Sequence, residues 1–136
     1  MNILKAIAIA ATGLRAQSSR MRVISENIAN AESTASTPGG NPYTRKISTF
    51  RQEYDKTIGA NVVSVGRILQ DKTEYEMKYD PTHPGADANG YIKLANVNAL
   101  VEMADMREAQ RSYEANLNVI TSTRNMMSRT IDILRG

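Results

Sequence analysis

The 136-residue chain has no cysteine, no tryptophan and a single histidine. Without cysteine there are no disulfides, no thiol nucleophile and no thiolate metal site, and the chain is compatible with any redox compartment. With His83 as the only imidazole, any Ser-His-Asp arrangement must be built around that residue. Aromatic residues make up only 5% of the chain. All but Tyr113 lie in the middle of the sequence (Tyr43, Phe50, Tyr54, Tyr75, Tyr79, Tyr91). Any packed unit there is small, and a segment of about 60 residues is only marginally stable alone. Long hydrophobic runs are also missing. Ala6–Leu14 is the nearest approach, against the roughly 20 apolar residues that a membrane span requires. It follows Lys5 in the manner of a secretory signal. However, it has one charge ahead of it, Arg15 follows at once, and its periodicity continues to Ile28. Export, where it occurs, is therefore expected without a cleaved signal.

Charge is nearly balanced except at one end. The net charge is +3, and residues 1–31 hold the whole excess as Lys5, Arg15, Arg20 and Arg22 against Glu26. Such a helix suits nucleic acid, an anionic membrane or an acidic partner. Four basic groups over that length form no dense patch, and no aromatic ring interleaves with them as a base-stacking platform. Nucleic acid is accordingly not expected as a partner, and a solvated helix face explains the charges as well.

What the chain does have is two long apolar stripes at its two ends. Leu4, Ile7, Ala11, Leu14, Ser18, Met21, Ser25 and Ile28 step by three and four. Met103, Met106, Gln110, Tyr113, Leu117, Ile120, Arg124, Met127, Ile131 and Leu134 do the same. This alternation is the coiled-coil seam pattern, and an isolated helix cannot bury it. The spacing predicts a helix from residue 3 to about 30, interrupted only by Gly13 at a cost of about 1 kcal/mol relative to alanine. A second helix is predicted from residue 97 to 135. Asn96 or Asn98 would cap it and Glu102 would complement the dipole of its first turns. Gln110 and Arg124 are polar intruders in this seam, of the kind that selects register or partner. Simple core packing of a helical hairpin accounts for the same periodicity.

Between the helices lie all four prolines and six of the eight glycines. Ser36–Pro42 reads as a loop, Lys46–Gln52 as weakly β-prone, and Val62–Val65 as the best strand, ending near Gly66. Tyr75, Met77 and Tyr79 alternate with Glu76 and Lys78, which predicts one face turned inward. Asn89-Gly90 marks a turn. The expected fold class is mainly α. Long N- and C-terminal helices (1–31 and 97–136) form a coiled coil, with a small loop- and β-rich middle region at 32–96.

Catalytic and metal-binding constellations are absent. His83 with Asp80 and Asp87 is a poor metal set. Asp87–Gly90 resembles part of a calcium loop but lacks the later glutamate. Gly39-Gly40 lacks the Lys-Ser/Thr of a phosphate loop. No catalytic residue, cofactor or metal is expected.

Several segments resemble one family. Ser25-Glu26-Asn27-Ile28-Ala29-Asn30-Ala31 is similar to the S-x-N-(I/L)-A-N-A signature that closes the amino-terminal helix of flagellar rod and hook proteins. Gly39–Lys46 resembles the short basic and aromatic stretch that follows it. Tyr79-Asp80-Pro81, continuing through Asp87-Ala88-Asn89-Gly90-Tyr91-Ile92 to Asn96-Val97-Asn98, resembles the junction into the carboxyl-terminal helix. Glu102–Met106 and Arg111–Asn116 resemble the body of that helix. The stretch Glu32–Pro42 is longer than the common pattern. The order of motifs and the short length point, within the family, to a subunit of the proximal rod.

The resemblance implies a structural, polymerising role in the periplasmic rod of the bacterial flagellar basal body, carrying torque from motor to hook. It implies export by the flagellar type III apparatus with an uncleaved signal. It also implies contacts with copies of itself, other rod subunits and the membrane-ring and rod adaptor proteins. The polymerisation surface would be the two seams. Two other readings stay open on the residues alone: a helical-hairpin adaptor that never polymerises, and a small hydrolase built on His83.

Overall fold

The computed structural model describes residues 2–136. Two helices bracket six short strands. Helix α1 runs Ile3–Ala29 and α2 runs Ala99–Arg135. At 1.5 Å per residue they extend about 40 and about 55 Å. Asn98 caps α2, accepting the N–H groups of Leu100 and Val101 at 3.1 and 3.3 Å. Glu102 lies in the first turn, where its charge opposes the positive end of the dipole. Asn2 serves α1 in the same way through the N–H of Leu4.

The strands pair only as antiparallel ribbons. β1 (Lys46–Ile47) pairs with β4 (Leu69–Gln70), β2 (Phe50–Asp55) with β3 (Ala60–Val65), and β5 (Glu76–Tyr79) with β6 (Tyr91–Leu94). Lys46–Gln52 is thus divided between two ladders. The β2–β3 turn uses Gly59 at φ +65°, with Asp55 accepting the N–H groups of Thr57 and Ile58. β5 does not turn one face inward: all four of its residues are exposed, Met77 and Tyr79 included. Its partner β6 supplies the buried residue, Ile92. With only two strands and no second layer over β5 among the described residues, the hairpin buries side-chain surface on β6 alone.

The chain divides into two compact units. Unit one comprises the segment ending at Met21, with Thr49–Arg67 and Arg107–Gly136. Its buried residues are small: Ala10, Ala16, Ala109, Val62 and Thr123. A Cβ on Gly13 would lie 2.9 Å from the Asn116 side chain, and Arg20 donates to Glu108 at 3.3 Å. These two contacts make α1 and α2 antiparallel within this unit. Unit two comprises Arg22–Ser48 and Ile68–Met106, and its buried residues are Val23, Ile24, Asn27, Ala35, Ile92, Ala95 and Glu102.

Candidate functional site

Within unit two the first asparagine of the N-A-N motif is the centre of a polar network. Asn27 is 1% exposed. Its Nδ2 donates to the Lys46 carbonyl at 2.8 Å and to Glu102 Oε2 at 3.1 Å. Its Oδ1 accepts the Tyr43 hydroxyl at 2.8 Å and the Lys46 N–H at 2.9 Å. An amide has two donors and two acceptor lone pairs, and all four are used. The backbone of Lys46 is therefore held as it would be by a neighbouring strand, and the last turns of α1 are tied to the first turn of α2.

Glu102 is equally buried, and a buried carboxylate needs a partner. Arg45 Nε donates to its Oε1. The same guanidinium reaches Asp71 at 3.1 Å and Asp105 at 3.8 Å. The Arg45 backbone is fixed too: its N–H donates to Asn96 Oδ1 at 2.7 Å, and its carbonyl accepts the Asp71 N–H at 2.8 Å. Lys46 pairs with Glu26 and lies 5.9 Å from the Tyr43 ring centroid.

Electrostatics follow from this crowding. Burial, with the charges of Glu26 and Glu102, pushes the Tyr43 hydroxyl up to about 12. Burial alone would lower Arg45, but the hydrogen bonds and charges of Glu102 and Asp71 outweigh it and raise it. The Thr73 hydroxyl and N–H, then Arg45, hold the Asp71 carboxyl below the usual range. Every one of these groups is consumed in holding another. The network is a structural lock with no free nucleophile or base.

The remaining motif residues serve the junction before α2. Gly90 adopts φ +82°, and a Cβ there would lie 2.9 Å from the Tyr79 ring. Tyr79 and Tyr91 meet edge to face at 5.3 Å, both substantially exposed. Asp87 Oδ1 accepts the N–H groups of Asn89 and Tyr91, both at 2.9 Å, which uses the acid that a calcium loop would need. Asp80 takes the Thr82 hydroxyl, which holds its carboxyl below the usual range. Pro81 and Ala29 are exposed, and Asn30 donates back to the Glu26 carbonyl at 2.8 Å.

His83 is not a general base here. Its Nδ1 accepts the Gly85 N–H at 2.9 Å, so its proton sits on Nε2, 3.1 Å from the Thr34 hydroxyl. A triad requires the opposite: a carboxylate on the far nitrogen and a lone pair facing the hydroxyl. Among the described residues no three metal-ligating side chains converge. No described helix is long and apolar enough to cross a membrane.

The seam residues fall into two rows. On α2, Met106, Tyr113, Ile120 and Met127 are half-buried, while Met103, Gln110, Leu117, Arg124, Ile131 and Leu134 are exposed. The intramolecular row is one residue earlier: Glu102, Ala109 and Thr123 are buried and Asn116 half-buried. On α1, Leu4 is exposed and Ile7, Leu14, Met21 and Ile28 are half-buried, whereas Ala16, Val23 and Asn27 are buried. Small and polar residues let the backbones approach, so they take the inner row and leave the larger apolar row outside. The pairing of Tyr43, Arg45, Asp71 and Glu102 into one lock escapes sequence reading. Their one signal is a glutamate and an arginine set among apolar and turn residues.

Comparison with known proteins agrees with these motifs. Residues 7–36 match the model for flagella basal body rod proteins, and residues 88–133 match that for the flagellar basal body rod FlgEFG protein C-terminal region. The flagellar basal-body rod protein FlgC of Agrobacterium fabrum is 52% identical over 128 residues, covering 94% of this chain and 92% of its own. That of Borreliella burgdorferi is 41% identical with both chains covered fully, and that of Salmonella typhimurium is 35% identical with 98% of each covered. These are structural proteins, and the family is not one of enzymes. The chain belongs to the FlgC family of flagellar basal-body rod proteins.

Proposed function

We propose that this chain, a structural subunit of the flagellar basal-body rod, stands in the proximal rod and polymerises through its terminal helices. Residues 1–31 serve export and polymerisation, 32–96 face outward, and 97–136 complete an intermolecular coiled coil. The rod so built carries torque from motor to hook. The partners are copies of itself, other rod subunits, the membrane-ring and rod adaptor proteins, and, before assembly, the flagellar type III export apparatus. The subunit reaches the periplasm without a cleaved signal.

One observation carries this reading. In unit one the contacts of Gly13 with Asn116 and of Arg20 with Glu108 set a register that places Ile3 opposite Met126. The last turns of α2 have no α1 residue opposite, and Ile131, Ile133 and Leu134 are 49%, 79% and 81% exposed. Leu100, Val101, Met103 and Leu117 add to the uncovered apolar surface. A monomer rarely carries so much without a partner. Burying it on assembly offsets the entropy of ordering the helices.

Leu117→Asp and Ile120→Asp are expected to block rod assembly while leaving export intact, read as secreted subunit without motility. Normal motility in both variants sinks the proposal. The helix ends of a proven monomer are expected to exchange their amides rapidly. A purified chain that instead forms a folded oligomer of fixed size favours the adaptor.

A further inference from the structure

The segment that follows α1 and the turn that precedes β6 meet in unit two at one side chain, His83, and one buried glycine, Gly85. We propose that His83 is a pH-sensitive latch that holds the turn 83–86 on the loop 33–35 while its imidazole is neutral and releases it on protonation.

The position of the imidazole proton is set by its neighbours. The Gly85 N–H can only donate, so Nδ1, 2.9 Å away, presents its lone pair. Nε2 therefore carries the hydrogen and donates to Thr34 Oγ1 at 3.1 Å. One neutral tautomer satisfies both contacts. A second proton goes to Nδ1 and points at the Gly85 N–H, setting donor against donor.

The turn has no room to accommodate this by sliding. Gly85 is buried so tightly that a Cβ would lie 2.1 Å from the Ala35 carbonyl oxygen. Ala35 itself is 2% exposed. The imidazole must rotate away, and that rotation also breaks the bond to Thr34. One proton thus undoes two hydrogen bonds. The loop side stays in place, since Thr34 bridges Leu94 and Ser33 accepts the Ala95 N–H at 3.3 Å. It is the turn that lifts.

The charged groups around His83 act in both directions. Asp80, on the same turn, attracts an imidazolium, and Lys78 on β5 is the nearest basic residue in sequence. Asp87 follows on the same segment, and Glu32 stands at the start of the facing loop. The Asp80 carboxylate is open to water, which screens its pull. The donor–donor contact is direct, at hydrogen-bond distance, and it sets the sign: the latch is closed at high pH and opens as pH falls.

The test uses the full-length chain. Amide exchange at Gly85 and Ala86 is followed from pH 8 to pH 5 with the intrinsic pH dependence divided out. Protection is expected to fall at least tenfold in the wild type. His83→Asn supplies an acceptor to the N–H two residues on without titrating in this range, so its protection is expected to stay flat. Imidazole nitrogen shifts at pH 8 are expected to report the Nε2–H tautomer. Flat protection in the wild type, an equal fall in His83→Asn, or an Nδ1–H tautomer at pH 8 each overturns the proposal.

Discussion

The two units hold together by different means. Unit two is specified by polar side chains that leave almost nothing unsatisfied: Asn27 uses all four valences, and Arg45 faces three carboxylates. Unit one has thinner bonds over distance. Lys5 reaches the Gly59 carbonyl at 3.3 Å, the Val63 N–H reaches Thr12 at 3.4 Å, and Arg20 meets an exposed Glu108. It also leaves Phe50, Tyr54, Val63 and Val65 exposed on its ribbon. A geometry that must be unique is built from directional bonds. Where apolar surface stays exposed, the inner residues are small and the outer ones large.

The contrast can be broken most forcefully at Arg45. Arg45→Met strands the buried Glu102 charge and is expected to cost about 3–5 kcal/mol in chemical denaturation. Amide exchange at Val62, in unit one, should move far less, and an equal loss there would erase the distinction. Asn27→Ala comes next, at about 2–3 kcal/mol, because it leaves the Lys46 backbone and the Tyr43 hydroxyl without their partner.

Two glycines sharpen the comparison. Gly85→Ala in unit two drives a methyl into a backbone carbonyl and is expected to cost about 1–3 kcal/mol. Gly13→Ala in unit one meets only the end of the Asn116 side chain, which can turn aside where a backbone carbonyl cannot. Its gain in helix propensity offsets the crowding, so stability should stay within about 1 kcal/mol of wild type.

The smallest effects are those of pH. Asp71 is held below its ordinary range in the fold, so its contribution is present at neutral pH and fades as pH falls below about 4. Tyr43 is raised to about 12, so its contribution is complete below pH 10 and is lost as pH rises from there towards 12. Thr73→Val should shrink the acid-side loss, and Tyr43→Phe should remove the alkaline one, in melting curves taken across pH.

Both helices were legible in the sequence because each is long, periodic and capped: 3–30 and 97–135 expected, Ile3–Ala29 and Ala99–Arg135 observed. Val62–Val65 was legible as part of β3, and Asn89-Gly90 as the turn of the β5–β6 hairpin. The inner helix row was not, because periodicity counts large apolar side chains, and this row is made of small and polar ones: Gly13 beside Asn116, with Ala16 and Ala109 buried. Nor was the lock. Asn27 stood out through its motif, but its partners lie 16, 19 and 75 residues away, and nothing local ties them to it. Glu102 read as a dipole partner in a first turn. Its burial depends on Arg45, whose position only the folded chain reveals.

The separation of Asn27 from Glu102 by 75 residues also has a temporal meaning. A chain that emerges amino end first, from a ribosome or from any narrow conduit, holds an incomplete unit two until α2 has begun to appear. Its first helix meanwhile carries a buried-type amide with one of its four hydrogen bonds missing. The polar lock of unit two therefore cannot close until Glu102 has arrived.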